Sequence, residues 1–461
     1  MTVDQPPAHS PGPAAFFAPR LTILGLIVWL FVAQLCVVAC TPAPADGDRA
    51  DAVSDALTSD AALAETDGLA AAAVTQQRYA ASALKAAQGI TLPFLMDRIN
   101  ALASDEFGGR DNLSAGGQAA RAWLEADLTN LALPPAVGSA YAQPFAAGVN
   151  LCAKLPGHDP ALASEVVVIG AHYDHLGTVG APNSQCKPSK LADPTDKICN
   201  GAVDNAAGVA VAIAVLHALA TSAQPPRRSI VLCLFDAEED GLLGSRHFVD
   251  KAPLVPLTAI AAMLSVDNIG SEFLPGETSS FATDVEYSVA LRAAVKTAND
   301  LTGMQTWPVS SFFVGQDGGG RSDHQPFREA GIPVLFIGSG SSPAYHTPAD
   351  EVGIINQPKL LNIARHTAVL VALIANAPTR PDFVPQPAPH IDDAVALVSL
   401  ADRVIAAPQA LGLSDAQLDL VKGWRTDLAA WITHPPTTSD EWDTYQGLVK
   451  AILAAVYLFA G

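Results

Sequence analysis

Short, unbroken apolar runs separated by helical patterns constrain the fold of this chain more than any other feature of the sequence. A strand covered by helices on both faces is apolar throughout, whereas a half-exposed strand alternates apolar and polar residues. The clearest runs are Val166–Ile169, Ile230–Phe235, Ile260–Val266 and Val334–Ile337. Helical periodicity lies between them, as in Ala206–Leu219. This order predicts an α/β fold with a mostly parallel central sheet covered by helices on both faces.

The rest of the sequence divides into further segments. Residues 41–88 are rich in Ala and Asp and poor in large apolar residues, which is typical of a flexible tether. Residues 391–461 carry apolar stripes at helical spacing and predict a small helical bundle. The predicted order is an export signal at 1–40, the tether at 41–88, the α/β domain at 89–378, a Pro-rich linker at 379–390 and the bundle at 391–461.

The N-terminal segment has the features of an export signal. Arg20 precedes the apolar run Leu21–Ala39, and a stretch rich in Pro, Ala and Asp follows. Residues Val37–Cys40 resemble the bacterial lipobox, and this resemblance implies that Cys40 is acylated and becomes the first mature residue. An uncleaved transmembrane helix is the alternative, because about 19 apolar residues are just long enough to span a bilayer. Both interpretations predict a body held at the cell envelope, outside the cytoplasm.

The charge of the chain limits its partners. There are 26 basic and 46 acidic residues, which gives a formal net charge of -20. No basic run interrupts this acidity, so that a polyanion would be repelled. The sequence therefore predicts no nucleic-acid partner.

The cysteines that follow the signal fall into two pairs with different surroundings. Cys186 and Cys199 share one polar loop, and export makes a disulfide between them chemically permissible. Cys152 and Cys233 lie in apolar, strand-like segments, where a cysteine usually behaves as a small hydrophobic residue. We therefore expect a bridge between the first two, and we expect the second two to be free and buried.

Residues that can bind a metal follow three of the apolar runs. After the first run, His172 can be a ligand while Asp174 orients it, since metal-bound histidines usually donate their second ring N–H to a carboxylate or carbonyl. Glu238 and Glu239 follow the second run, and Asp267 follows the third. Adjacent carboxylates beside a core strand are costly unless a cation neutralises them, although a solvated loop is the simpler interpretation of the two glutamates.

Two further positions complete the set. Asp204 precedes an apolar helix, where an aspartate is ordinarily a helix cap, and Tyr345 and His346 follow the last strand. Together the motifs supply two imidazoles, three acidic ligands and one spare carboxylate for a base. Two zinc ions about 3.5 to 4 Å apart can generate a hydroxide at neutral pH and polarise a carbonyl. The sequence therefore predicts two zinc ions sharing one bridging carboxylate.

In this order the motifs resemble metallopeptidase family 28, which holds the bacterial di-zinc leucyl aminopeptidases, the glutamate carboxypeptidases and the glutaminyl cyclases. The resemblance covers about residues 90–375 and includes Phe107–Arg110 and Arg321–His324. It implies a zinc exopeptidase fold. The zinc ligands that it implies are His172 and Asp267 for one ion, Glu239 and His346 for the other, and Asp204 as the bridge.

The same resemblance implies roles for residues that do not bind zinc. Glu238 is implied as the general acid and base, and Asp174 as the residue that orients the first histidine. Tyr345 and Arg321 are implied as donors to the oxyanion or the substrate. His175, like His324, is expected around the site rather than among the ligands.

The predicted activity is removal of amino-terminal residues from peptides through a metal-bridging hydroxide and a glutamate base. A free α-amine can add a metal ligand, which favours an exopeptidase. The alternatives are a glutaminyl cyclase or a carboxypeptidase of the same fold, the latter with Arg321 as the candidate cation for the substrate carboxylate, or an inactive binding module. A polar insertion at about 178–200 departs from the family pattern and is expected to shape the substrate pocket. Side-chain preference, physiological substrate, the role of the bundle and oligomeric state are not predicted.

Overall fold

The computed structural model of the chain describes residues 78–182, 184–310, 322–387 and 390–460, the side chains of 450, 451 and 453–460 excepted. The predicted export signal with Cys40, most of the predicted tether and Arg321 lie outside these residues.

A mixed sheet forms the centre of the described residues. Its strands are β1 (Ala142–Phe145), β2 (Gly148–Leu155), β3 (Val166–His172), β4 (Ser229–Phe235), β5 (Ile260–Val266), β6 (Ser280–Thr283), β7 (Thr306–Pro308) and β8 (Val334–Gly338). They follow the order β1-β2-β4-β3-β5-β8-β6-β7. The central strands β4, β3, β5 and β8 are parallel, whereas β2 joins β4 and β6 joins β8 in antiparallel fashion. The predicted α/β fold is confirmed; the centre of the sheet is parallel, and β6 and β7 at one edge also pair in parallel.

Helices flank this sheet, and further helices follow its last strand in the chain. They are α1 (78–88), α2 (Leu92–Leu102), α3 (Ala115–Asn130), α4 (Ala207–Ala220), α5 (Leu243–Arg246), α6 (Val289–Thr302), α7 (His324–Glu329), α8 (Gln357–Asn376), α9 (Ile391–Ala406), α10 (Asp415–Thr433) and α11 (Ser439–Ala460). Several begin at a capping side chain, as where the Asn356 side chain accepts the backbone N–H of Lys359 at the start of α8.

The core has two layers because the central strands are apolar on both faces. Every residue of β3, β4 and β5 is buried. Val167 and Ile169 of β3 pack into the cluster that contains α4 and α8, whereas Val166 and Val168 pack into the cluster on the other face, with Phe327 of α7. Alternate residues of a strand point to opposite faces, so this division follows directly from the strand geometry.

Within the described residues, two helical segments are long and apolar enough to cross a membrane by length and composition alone. They are Ala202–Ala220 and Gln357–Asn376, of which 94% and 72% of the apolar window is buried inside the fold. Their hydropathy is that of core helices packed on a sheet.

The C-terminal helices α9, α10 and α11 pack around a core of their own. Leu397 of α9, Leu428 of α10 and Tyr445 of α11 lie in one apolar cluster, against which Phe281 of β6 also packs. The bundle therefore contacts β6, the strand beside the edge strand β7.

The disulfides differ from what the sequence predicts. The structure joins Cys186 to Cys199, and it also joins Cys152 to Cys233. The expectation that Cys152 and Cys233 are free is therefore wrong. These two residues are directly opposite each other in the antiparallel pair β2–β4, with a Cα–Cα distance of 4.2 Å. Sequence patterns predict each strand but not which strands are neighbours in the sheet. The pairing of Cys152 with Cys233 depends on β2 and β4 being neighbours.

Candidate active site

The predicted ligands come together at the carboxyl edge of the parallel strands. His172 is the last residue of β3, Asp267 directly follows β5, and Glu239 follows β4 by four residues. Asp204 lies in the turn that leads into α4, and His346 lies in the loop between β8 and α8. Since parallel strands end at the same edge of a sheet, residues distant in sequence converge there.

His172 lies against two carboxylates. Its Nε2 atom is 3.1 Å from Oδ1 of Asp204 and 3.3 Å from Oδ1 of Asp267. All three side chains are buried, and their ligand atoms lie within 4.8 Å of one another. One imidazole and two carboxylates at this spacing can surround a single metal ion.

His346 has a matching arrangement on the other side of the same aspartate. Its Nε2 atom is 3.2 Å from Oδ2 of Asp204 and 3.3 Å from Oε2 of Glu239. Asp204 therefore directs one oxygen toward each of the two histidines. This division of its oxygens places Asp204 between two groups of ligands.

Glu238 is buried beside these groups, with 8% of its surface exposed. One of its oxygens lies within 4.8 Å of ligand atoms of His172 and Glu239. Burial raises the pKa of Glu238 well above its usual range, and the neighbouring carboxylates of Glu239 and Asp267 raise it further, against the opposing effect of His172. Such a carboxyl group is suited to exchanging a proton.

Asp174 holds several parts of the site at once. Its carboxylate oxygens accept the backbone N–H groups of Glu238 and Glu239, at 3.1 and 3.2 Å. Its backbone carbonyl oxygen is 3.2 Å from Nδ1 of His172, whereas its carboxylate is 3.7 Å away. Asp174 thus orients His172 through the main chain and fixes the two glutamates through its side chain.

Asp350 is a positioning residue to which the sequence assigned no role. It is buried, and its two oxygens accept the backbone N–H groups of Val203 and Asp204 at 2.9 and 3.0 Å. Burial raises the pKa of Asp350 to about 7. Its only sequence signal is its place at the end of the motif that begins with Tyr345.

Arg110 binds the backbone directly before the turn that contains Asp204. Its guanidinium is fully buried and donates to the backbone carbonyl oxygens of Tyr173, Leu102, Asn200 and Gly201, at 2.8, 2.5, 2.6 and 3.0 Å. Burial lowers the pKa of Arg110 to about 10. The sequence includes it in a family-like segment but gives it no function.

His175 lies against two of the candidate ligands. Its Nδ1 atom is 2.8 Å from Oε1 of Glu239 and 3.9 Å from Oδ2 of Asp204. The ring is buried, and a Cβ atom on Gly201 would lie only 2.5 Å from it. A glycine at position 201 therefore leaves room for this imidazole. His324 is not part of the cluster, since its Nε2 atom lies 3.1 Å from Oδ2 of Asp284.

Tyr345 lies at the rim of the site. Its ring stacks on that of His346, with ring centroids 3.7 Å apart, and 37% of its surface is exposed. The phenol is thus beside the ligands and accessible from outside. Arg321, the other predicted donor, is not among the described residues.

The residues present fit a divalent metal. Asp204 Oδ2 and His346 Nε2 lie 3.2 Å apart without the geometry of a hydrogen bond, and both are buried atoms with no hydrogen-bond partner within the described part of the chain. Buried polar atoms are nearly always satisfied, so unpartnered atoms that face one another indicate a missing ligand. Imidazole nitrogens together with carboxylate oxygens are donors that zinc accepts.

Comparison with known proteins agrees with this geometry. Residues 150–371 match the sequence model of peptidase family M28. This segment belongs to peptidase family M28. The M28 domain shares the fold of LapA from Legionella pneumophila, with 18% identity and a TM-score of 0.50 over 64% of this chain and 76% of LapA.

Curated relatives of the M28 domain have several activities in their names. Leupeptin-inactivating enzyme 1 of Streptomyces exfoliatus is 28% identical over 254 residues, which cover 53% of this chain and 48% of that protein. Aminopeptidase YwaD of Bacillus subtilis is 30% identical over 202 residues, which cover 42% of this chain and 38% of YwaD. A glutaminyl-peptide cyclotransferase-like protein of Mus musculus is 28% identical over 289 residues, which cover 56% of this chain and 70% of that protein. The chain thus spans half or less of two of these relatives.

Proposed function

We propose that the protein is a zinc-dependent aminopeptidase with two metal ions. His172 and Asp267 would hold one ion, Glu239 and His346 the other, and Asp204 both. The observation that carries this proposal is the division of the Asp204 oxygens, one 3.1 Å from His172 and the other 3.2 Å from His346. A carboxylate placed in this way suits a bridge better than a helix cap.

The chain supplies the proton transfers of peptide hydrolysis. When bound, a pair of zinc ions lowers the pKa of water and polarises the carbonyl of the scissile bond. Glu238 accepts the proton of the attacking water and returns it to the leaving nitrogen. Asp174 keeps this carboxylate in place by accepting the backbone N–H of Glu238. Tyr345, exposed at the rim, would donate to the substrate carbonyl.

The described site favours an amino-terminal over a carboxy-terminal substrate end. The free α-amine of a substrate can add a ligand to a bound zinc ion, whereas a terminal carboxylate is ordinarily bound by a cationic side chain. Arg110, the buried guanidinium of the described site, is already committed to four backbone carbonyl oxygens. It therefore has no capacity to bind a substrate carboxylate.

Glutaminyl cyclisation is the second candidate function. The alignment with the cyclotransferase-like relative covers 70% of that protein, a larger share than for the aminopeptidase YwaD. Cyclases of the resembled family typically use one metal ion, so the number of bound zinc ions separates the two candidates.

We also propose that the enzyme is exported, is anchored to a membrane through a lipid on Cys40, and acts on peptides outside the cytoplasm. The two disulfides of the described region support this location, because disulfides persist in oxidising compartments. The net charge of -20 argues against nucleic acid as a partner. Inhibition of the lipoprotein signal peptidase in a bacterial host would test the anchor. The precursor should then accumulate with its signal still attached. A Cys40→Ser variant should not be lipidated.

The activity is tested on a matched pair of peptides. Purified full-length protein is supplied with zinc, and release of the first residue is measured from one peptide with a free amino terminus and from its acetylated form. We expect cleavage of the free peptide alone and two zinc ions per chain by elemental analysis. Cleavage of the acetylated peptide from its carboxyl end would favour the carboxypeptidase, and cyclisation of an amino-terminal glutamine with one bound zinc would favour the cyclase.

A further inference from the structure

The two groups of metal ligands are supported differently by the fold. His172 ends β3 and Asp267 directly follows β5, so both are fixed by hydrogen-bonded strands. Glu239 lies four residues beyond the end of β4, and His346 lies eight residues beyond the end of β8. Loop residues need additional contacts to hold a metal-binding geometry. The second pair of ligands therefore depends on whatever packs against its loops.

One loop makes such contacts with both residues of the second pair. The side-chain Nε2 of Gln185 donates to the backbone carbonyl oxygen of Glu239 at 2.7 Å. The backbone N–H of Lys187 donates to the backbone carbonyl oxygen of His346 at 2.9 Å. Cys186 lies between these two donors in the sequence. We call residues 184–199 the strap; the Cys186–Cys199 disulfide closes residues 186–199 of it into a loop and leaves Gln185 directly before the loop.

The disulfide ties the strap to a rigid base. Cys199 is fully buried, and its backbone N–H donates to the carbonyl oxygen of Gly177 at 2.9 Å. A further bond joins the N–H of Val179 to the carbonyl oxygen of Lys197 at 2.7 Å. The residues after Cys199 are Asn200 and Gly201, whose carbonyl oxygens accept from Arg110. Position 186 is therefore held by a covalent link to a segment that the core already fixes.

We propose that the strap is a positioning element for the second metal position, the one formed by Glu239 and His346. Gln185 and Lys187 restrain the backbone of the two ligands, and the Cys186–Cys199 disulfide holds these donors in place. Opening the disulfide would release both contacts together and would leave the strand-fixed ligands of the first position unchanged. This inference rests on the proposed two-metal function.

Zinc binding tests it without reliance on activity. Metal-free full-length protein is titrated with zinc in competition with a chromophoric chelator, which gives the number of sites and the affinity of each. The variants are Cys186→Ser/Cys199→Ser, which opens the strap, and Gln185→Ala, which removes one donor from an exposed side chain. Lys190→Ala, at an exposed position of the same loop, is the matched control.

The expected result is asymmetric between the two sites. Loss of residues that orient ligands typically costs about 10- to 100-fold in metal affinity. The double serine variant should therefore show one site weakened by about that factor and one unchanged. Gln185→Ala should weaken the same site by a smaller factor, and Lys190→Ala should match the wild type. Far-ultraviolet circular dichroism of the metal-free variants checks that the fold is kept.

Three other outcomes would overturn the inference. If the wild type binds two zinc ions and both strap variants bind them with unchanged affinity, the strap has no positioning role, although the proposed function stands. Equal weakening of both sites would mean that the loop supports the domain in general. A wild type that binds fewer than two zinc ions would refute the proposed function, and this inference with it.

Discussion

Two polar clusters of the molecule use largely buried aspartates in different ways. Where the bundle meets the α/β domain, Asp392 of α9 lies 3.3 Å from Arg292 and 2.9 Å from Lys296, both on α6. Asp393 accepts the backbone N–H and the hydroxyl of Ser310 at 2.7 and 2.8 Å. Each of these carboxylates is matched by donors or by an opposite charge.

The carboxyl edge of the sheet lacks this balance. Four carboxyl groups meet three imidazoles there, and several buried atoms, including Oδ2 of Asp204, have no hydrogen-bond partner among the described residues. A carboxylate that is matched by donors keeps its charge without further partners, whereas unmatched buried carboxyl groups must take up protons or bind an added cation. The comparison teaches that the partners of a buried aspartate, and not its burial, separate a ligand site from a structural contact.

The largest expected effect is on the chemical step. Glu238→Gln keeps the shape of the side chain but removes its ability to accept a proton, so that kcat should fall by about 10²- to 10⁴-fold. Zinc content and melting temperature should stay close to those of the wild type. Steady-state kinetics on a peptide with a free amino terminus measures the change, with the exposed Glu106→Gln as control. Activity retained in Glu238→Gln would refute the assigned base.

Removal of zinc should lower the free energy of unfolding if the cluster at the sheet edge binds it. Zinc at 100 times its dissociation constant should raise the free energy of unfolding by about 2.7 kcal/mol per site, because it binds only the folded state. Chemical denaturation with zinc and with a chelator measures this difference. Magnesium at the same concentration is the control, since it prefers oxygen ligands and keeps its waters. Equal stability in zinc and in chelator would mean that the edge cluster needs no cation.

The positioning of Asp204, the proposed bridge, should matter somewhat less. In Asp350→Asn, one of the two backbone N–H groups, of Val203 or Asp204, would face an amide N–H instead of an oxygen. We expect zinc affinity to fall by about 10- to 100-fold, as for other residues that orient ligands. Chelator competition measures the change, and Asp392→Asn, at the structural cluster, is the control. A variant that binds zinc like the wild type would show that the turn needs no support from Asp350.

The convergence of the candidate ligands could be predicted, because each belongs to a short motif beside a strand or helix that the sequence reveals. His172, Asp267 and the two glutamates follow apolar runs, and parallel strands bring such ends together without further information. The contacts of Asp350 and His175 depend instead on loop shape and on spaces between elements. The Cys152–Cys233 bridge depends on the order of strands, which is set by the packing of the whole sheet. Sequence patterns carry neither kind of information.

The smallest expected effect is on stability and concerns Asp392, where the bundle meets the α/β domain. Burial raises the pKa of Asp392, but its interactions with His390 and Lys296 outweigh burial and hold this pKa well below its usual range. Asp392 therefore stabilises the fold at pH values above its unfolded pKa of about 3.9, and this contribution is lost as the pH falls toward the folded value. At pH 7, Asp392→Asn should lower the free energy of unfolding by about 1 kcal/mol and leave kcat unchanged.

The pH dependence separates this effect from the protonation of the metal site. Denaturation of metal-free wild type and of Asp392→Asn is compared at pH 7 and at successively lower pH. The carboxylates at the sheet edge titrate in both proteins and cancel in the difference. The stability difference should shrink below about pH 4, because the carboxyl group of Asp392 then takes up a proton in the unfolded wild type while it is still ionised in the folded wild type. If the difference persisted at low pH, or if kcat fell in the variant, the bundle contact would act through packing or on the site and not as an independent ion pair.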